Sequence, residues 1–302
     1  MKSSEDPNWP RASQWLADNS RACGDQSLAI AGVPMNNSIT PGHCELAPAV
    51  IRAALKRYSL YDPDAEIDLE CLRARDCGDF DFANESPEAA FGRTVKFIAE
   101  TTADSTCAVL LGGDNGITRP GLHAMGLDLR DCGLLTFDAH HDLRDLERGL
   151  TDGNPIRALL EDGLPGKNVI QIGIQAFTNS RAYAQVARDA GIAVVTVDEV
   201  YATGIDTVVK RSLECLASER KAIYVNLDVD VLDRVSAPAC PGSRPGGLQP
   251  WMLRRAVHLC GRHRSVRMMD IVGVDPTKDI ADVTCLAAAS FFLAFASGVA
   301  SR

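Results

Sequence analysis

The sequence predicts an α/β protein built in three layers, α/β/α, around a central, mainly parallel sheet. Short apolar runs bounded by Gly, Asp or Asn recur along the whole length, and their hydrophobicity is continuous, as in strands covered on both faces. Between them lie segments whose apolar residues keep helical spacing, as crossover helices require. In chain order the expected elements are a strand at Ser27–Val33, helices at Leu46–Leu55 and Pro87–Thr102, and strands at Cys107–Leu111, Gly133–Phe137 and Val169–Gly173. A helix at Arg181–Ala190 then leads to a strand at Ile192–Val197, one at Ile205–Ala217 to a strand at Ala222–Leu227, and one at Pro250–Gly261 to a strand at Val266–Val272. The last segment, Val283–Ala300, is uncharged and long enough to span a bilayer. It is also rich in Ala and interrupted by Thr284, Ser290, Ser297 and Gly298, so a helix buried against the sheet is expected.

A chain of 302 residues with 46% hydrophobic and 24% charged residues can form one large core, so 1–302 is expected to be a single domain with 1–25 a peripheral N-terminal segment. The net charge of −9 and the lack of a Lys/Arg run exclude a nucleic-acid partner and favour a small molecule or metal. Ten cysteines are scattered without a CxxC pair, which fits reduced thiols. The stretch Met1–Ile30 begins with charged and polar residues and lacks an apolar signal core, so a cytoplasmic location and no membrane partner are expected. The Gly/Pro-rich stretch Ala237–Gly247 reads as a substrate loop rather than a linker.

Parallel sheets carry their working groups where strands end at the carboxyl edge, and three such ends here are acidic. The first, Leu110-Leu111-Gly112-Gly113-Asp114-Asn115, is as compatible with a tight turn as with a site. The second, Phe137-Asp138-Ala139-His140-His141-Asp142, would place Asp138, His140 and Asp142 on one side of an extended backbone, a chelate spacing of two carboxylates and an imidazole. That donor set suits manganese, zinc, nickel or iron(II) rather than calcium. The third, Asn226-Leu227-Asp228-Val229-Asp230, offers a second alternating pair, Asp228 and Asp230. Two clusters on separate strands make a dinuclear site, since bridging carboxylates hold two cations close together.

With these motifs in place the sequence resembles the ureohydrolase superfamily of arginase, agmatinase, guanidinobutyrase and formimidoylglutamase. Its motifs Gly-Gly-Asp-His, Asp-Ala-His-x-Asp and Asp-x-Asp-x-x-Asp-Pro appear in order as Gly112-Gly113-Asp114-Asn115, Asp138-Ala139-His140-His141-Asp142 and Asp228-Val229-Asp230-Val231-Leu232-Asp233-Arg234. The stretch from Ala237-Pro238 to Pro245-Gly246-Gly247-Leu248 and an early Thr40-Pro41-Gly42 segment add to the likeness, which runs from about Ile30 to the C-terminus. The resemblance implies two divalent ions, manganese first, with Asp138 and Asp228 bridging, Asp142 and Asn115 on one ion, and His140 and Asp230 on the other. It implies a hydrolase in which hydroxide from a water shared by two cations attacks an amidine or guanidine carbon, with Asp142 relaying a proton to the leaving amine. A homo-oligomer, trimer or hexamer, and an α/β/α fold are implied as well.

Three departures from the family pattern bear on the substrate. Asn115 stands where the family has a histidine ligand, and its amide oxygen is expected to ligate more weakly. The family's proton-shuttling histidine falls at Asp152, with His141 a nearby substitute. Gly273 replaces the glutamate that grips the guanidinium, which argues against ordinary arginase or agmatinase activity and towards a different imine, amidine, hydroxyguanidine or amide within the amidine-, guanidine- or formimino-type class; Arg144, Arg244 and Asp275 are the candidate substrate contacts. The same departures motivate a second reading, a catalytically impaired paralogue acting as a partner subunit or binding protein.

Overall fold

A computed structural model describes residues 6, 8–17, 22, 24–219 and 222–302. Eight strands form one sheet: β1 Ser27–Val33, β2 Arg73–Asp79, β3 Cys107–Gly112, β4 Cys132–Phe137, β5 Val169–Ile174, β6 Ala193–Thr196, β7 Ala222–Asp228 and β8 Val266–Val272. They pair in the order β2-β1-β3-β8-β7-β4-β5-β6, and every pairing is parallel. The sheet is therefore parallel throughout. One apolar cluster, built on Leu111, Phe137, Leu227 and Ile271, fills one face, and a second, built on Leu110, Leu134, Tyr224 and Val272, fills the other.

Within this eight-stranded sheet the strand not anticipated is β2, Arg-Ala-Arg-Asp-Cys-Gly-Asp, where only Ala74 is fully buried. It lies at the sheet edge against β1 alone, so it needs no apolar run. Arg52 fastens it, with Nε donating to Asp76 at 2.7 Å and Nη1 to Asp79 at 2.6 Å. The expected strand at Ile192–Val197 is shorter. Thr196 accepts from the Glu199 amide and the Glu199 side chain accepts from the Thr196 amide, a capping box that starts the helix Val197–Thr203. Short helices at Thr118–Ala124 and Pro155–Glu161 carry too few residues to show a helical period.

The peripheral placement expected of 1–25 does not extend to the helix Ala12–Ala17. Trp15 is buried there, donates through Nε1 to the Leu72 carbonyl at 3.0 Å, and meets Phe292 at 6.2 Å between ring centroids. The apolar helix Val283–Ala300 is sheathed by the fold, with Phe291, Phe292, Phe295 and Val299 in the core. Its glycine explains its close seat on the helix Pro250–Arg262: a Cβ on Gly298 would come within 2.2 Å of the His258 carbonyl, and one on Gly261 within 2.2 Å of the Phe295 carbonyl. Small residues at the crossing let the two backbones touch.

The register aligns the carboxyl ends of the four central strands. Leu227 of β7 faces Phe137 of β4 and Ile271 of β8, and Ile271 in turn faces Leu111 of β3. Whatever follows these residues emerges at one edge.

Candidate metal centre

At the end of each central strand, or just after it, an aspartate or glycine turns the chain over the sheet edge. Asp114 accepts from the Gly116 amide at 2.9 Å, Asp138 from His140 at 2.6 Å and Asp228 from Asp230 at 2.8 Å. The carboxylate capping its own i+2 amide is a turn device, and it folds residue i+2 back toward the same point. This corrects the sequence expectation of an extended alternation: β4 stops at Phe137, and Asp142 sits at φ 52°, in the left-handed region. Convergence of Asp138, His140 and Asp142 comes from turning, not from the pleat.

The groups meet closely. His140 Nδ1 lies 2.6 Å from Asp230 Oδ2 and 3.7 Å from Asp138 Oδ1, and one donor atom from each of Asp138, His140 and Asp230 falls within 4.8 Å of the others. Asp230 also accepts from the Ala139 amide at 3.0 Å, which pins the turn after β7 to the turn after β4. Asp142 joins through Asn115, whose Nδ2 donates to it and to Asp138 Oδ2, the latter at 3.2 Å. Asp138, Asp142, Asp228 and Asp230 are all buried, while the His140 side chain keeps 27% of its exposure.

Four buried carboxylates in one place repel one another. Burial first and the charge of Asp230 second push Asp138 up to about 7, and burial with neighbouring carboxylates raises Asp142 and Asp228 well above the usual range. Burial disfavours a charged His140, yet the charges and hydrogen bonds of Asp230 and Asp138 together outweigh it and carry the imidazole up to about 12. Asp230, partnered by that imidazolium, is held low against the burial that would raise it. The cluster thus demands positive charge and finds only one proton-borne unit of it. Divalent cations satisfy such a set, so the residues fit the metal that the motifs imply.

A cavity of about 340 Å³ opens onto these groups and is lined by Asp142, His140, Asp228 and Asp230 at its floor and by Arg144, Asp152 and Arg244. Arg244 is braced by its own loop, Nη1 donating to the carbonyls of Pro241, Gly242 and Ser243 at 3.1, 2.9 and 3.0 Å. Asp152 accepts from the Ile39 amide at 2.9 Å, and burial raises its pKa. The substrate-loop expectation for Ala237–Gly247 fits its position, since Cys240, Pro241 and Gly242 line the same cavity.

Other expected residues are placed elsewhere. His141 is buried away from the cavity, with Nδ1 2.7 Å from Gln171 Oε1, so the role of substitute shuttle has no geometric basis. Asp275 is likewise outside the cavity; it accepts from the Thr277 amide at 3.1 Å and lies 3.1 Å from Lys278 Nζ, a turn-stabilising role rather than a substrate contact. Asn115 borders the cluster, its Nδ2 donating to Asp138 and Asp142 and its oxygen accepting from Asn226 Nδ2 at 2.7 Å. Behind it stand Thr118, Tyr224, Asn226 and Asp270, which the sequence reading passed over. The signal was present: Asn226 interrupts an apolar strand run and Asp270 stands inside the apolar stretch Met268–Val272, and a buried polar residue in such a run must be hydrogen-bonded.

Gly273 does more than lack a side chain. It has φ 83°, and a Cβ there would approach Asp228 Oδ1 to 2.6 Å and Cys240 Sγ to 3.3 Å. Position 273 is part of the wall behind Asp228.

Residues 26–297 match the sequence profile of the Arginase family. The chain belongs to the arginase family. Within it, a formimidoylglutamase of Halalkalibacterium halodurans is 36% identical over 277 residues, covering 90% of this chain and 86% of that protein. The crystal structure of formimidoylglutamase from Bacillus subtilis superposes with a TM-score of 0.91 at 31% identity, covering 99% of this chain and 94% of that one. A formiminoglutamase from Trypanosoma cruzi, solved with Mn2+, has the same fold at 24% identity and a TM-score of 0.86, covering 97% and 99%. The arginase-family profile begins at the start of β1 and ends inside the last helix, so the whole sheet lies within it.

Proposed function

We propose that this arginase-family chain hydrolyses N-formimidoyl-L-glutamate with two divalent ions, manganese first, held by Asp138, His140, Asp142, Asp228 and Asp230. The observation that carries the reading is the cavity lining: Arg144 and Arg244 line the same cavity as the acidic cluster, while Gly273 supplies no carboxylate to grip a guanidinium and a Cβ there would crowd Asp228 Oδ1. Agmatine and arginine bring a guanidinium to that end, whereas formimidoylglutamate brings a small amidine and two carboxylates that arginine forks can receive. The identity to a formimidoylglutamase over nine-tenths of the chain supports the same choice.

Two divalent cations in the cluster supply a water acidic enough to ionise near neutral pH and Lewis acidity toward the amidine. The protein's residues do the rest. Arg244, braced by three carbonyls, and Arg144 fix the glutamate carboxylates, which holds the formimidoyl carbon over the carboxylate floor. Asp152, whose pKa is raised and which lines the cavity, returns the proton to the leaving amine, with Asp142 as the alternative relay. Atom balance then gives formamide and glutamate. The partner-subunit reading gains no support from a site whose donors all converge. Free thiols at the described cysteines suit a cytoplasmic protein.

A panel of N-formimidoyl-L-glutamate, agmatine, arginine and 4-guanidinobutyrate, read out separately for formamide, urea and ammonia, tests the proposal. Formamide from the first compound alone is expected; urea from any guanidine at a comparable rate contradicts it.

A further inference from the structure

The turn that carries His140 is gripped from the loop after β5. Asn179 Nδ2 donates to the Ala139 carbonyl at 2.9 Å, and Asn179 Oδ1 accepts from the His141 amide at 2.9 Å. The carbonyl before a residue and the amide after it belong to the two rigid peptide planes that its φ and ψ rotate. One side chain bonded to both therefore holds His140 against rotation about either bond. A carbonyl only accepts and a backbone amide only donates, so the Asn179 amide has a single orientation that satisfies them. That orientation is set by backbone groups, not by the carboxylates of the cluster.

Ala139 is the anchor. Its carbonyl also accepts from Thr178 Oγ1 at 2.9 Å and from the Gln175 amide at 3.2 Å, while its own amide donates to Asp230 Oδ1 at 3.0 Å. Between Gln175 and Thr178 the loop carries Phe177, fully exposed and at φ 62°. A bulky residue in the left-handed region is costly and persists only where its surroundings over-determine it; here the bonds of Gln175, Thr178 and Asn179 to Ala139 supply that constraint. The His140 side chain keeps 27% of its exposure, so packing alone does not fix its ring.

We infer that Asn179, seconded by Thr178, is a positioning residue for the metal centre: it locks the backbone of His140 and so aims the imidazole at the point shared with Asp138 and Asp230. Outer groups that orient a metal-binding histidine are worth about ten- to a hundredfold in affinity when removed. This inference rests on the two-ion reading above.

The experiment is a Mn2+ titration of the full-length apoprotein, followed by electron paramagnetic resonance of the free ion and closed by elemental analysis. Thr178 and Asn179 line the cavity, so the titration is run without substrate, whose contacts then cannot produce the effect. Asn179→Ala is expected to weaken one ion about tenfold or more and to leave the other within about twofold. The ion left tight should match the single ion that His140→Ala retains. Adding Asn179→Ala to His140→Ala should leave that ion within about twofold, because two changes acting on one group do not add. Thr178→Val, which removes the hydroxyl and keeps the shape, should weaken the same ion, and Thr178→Ser should restore it; this pair carries the test if Asn179→Ala does not fold. Wild-type affinities in Asn179→Ala, both ions weakened alike, or further weakening in the double variant overturns the inference. A wild type that takes up no ion, or a His140→Ala protein that keeps both, overturns the two-ion reading instead.

Discussion

His140 Nδ1 lies 2.6 Å from Asp230 Oδ2, and this contact joins the turn after β4 to the turn after β7 across two strands that are direct neighbours in the sheet. It is the cluster's charge balance. Replacing His140 by Ala leaves Asp138 and Asp230 buried without their cation. Metal-free protein should lose about 2 kcal/mol in urea unfolding, and the ion shared by Asp138, His140 and Asp230 should be absent from elemental analysis. Wild-type metal content in this variant would remove His140 from the ligand set.

Gly273 yields an outcome opposite to naive engineering. Restoring the family's glutamate by Gly273→Glu should not create agmatinase or arginase activity, because a Cβ at φ 83° already crowds Asp228 Oδ1 at 2.6 Å. Expected are loss of bound metal and loss of formamide release. Gly273→Ala should show the same direction, with a backbone cost of about 1 kcal/mol. Measured urea production from agmatine by Gly273→Glu would show that the wall can move.

Arg244 and Arg144 separate binding from chemistry. Arg244→Ala or Arg144→Met should raise KM for N-formimidoyl-L-glutamate by roughly ten- to a hundredfold, the loss of one charge-assisted contact, with kcat changed far less. A formamidine without carboxylates should be indifferent to either change. A fall in kcat at constant KM would place these residues at the reacting atoms instead.

Much of this was legible in the sequence, and the parts that were not share a cause. Strands β1, β3 and β4 show as nearly continuous apolar runs, and β7 and β8 as apolar runs broken by Asn226 and by Arg267 and Asp270, because both their faces are covered, and the acidic residues that follow β3, β4 and β7 were readable as donors. β2 was illegible because an edge strand buries one residue, Ala74, among charged neighbours. Spacing alone put Asp138, His140 and Asp142 together but for a different reason than the structure shows, since a period of two describes a strand and a pair of side-chain-capped turns equally well. His141 and Asp275 looked functional for their type and position, and only three-dimensional contacts with Gln171 and with Thr277 and Lys278 show where they are spent. Asn115 meets Asn226, more than a hundred residues away in the chain, a relation that no local pattern encodes.

Asp162 clamps the helix Thr118–Ala124 that follows the Asn115 turn. Arg119 donates to it from Nε and Nη2, both at 2.7 Å, and His123 Nε2 lies at 2.9 Å. Burial would raise its pKa, but these hydrogen bonds outweigh it and hold the carboxyl below its usual 3.8. A depressed folded-state value stabilises the fold above the unfolded value and loses that contribution as pH falls through the folded one. Asp162→Asn should therefore cost roughly 1–2 kcal/mol at pH 7 in chelator-treated protein, and the gap to wild type should narrow as pH falls through the lowered folded-state value. A difference that is constant from pH 7 to pH 3 would assign the loss to packing rather than charge.

The most direct measurement uses purified protein stripped of metal, reloaded with Mn2+, and given N-formimidoyl-L-glutamate, with formamide, glutamate, ammonia and N-formylglutamate quantified together. Formamide and glutamate in equal amounts, restored by Mn2+ and abolished by chelation, is the expected result. Turnover that persists without metal, or ammonia with N-formylglutamate as the products, would contradict the assignment of Asp138, His140, Asp142, Asp228 and Asp230 to a two-cation formimidoyl hydrolase.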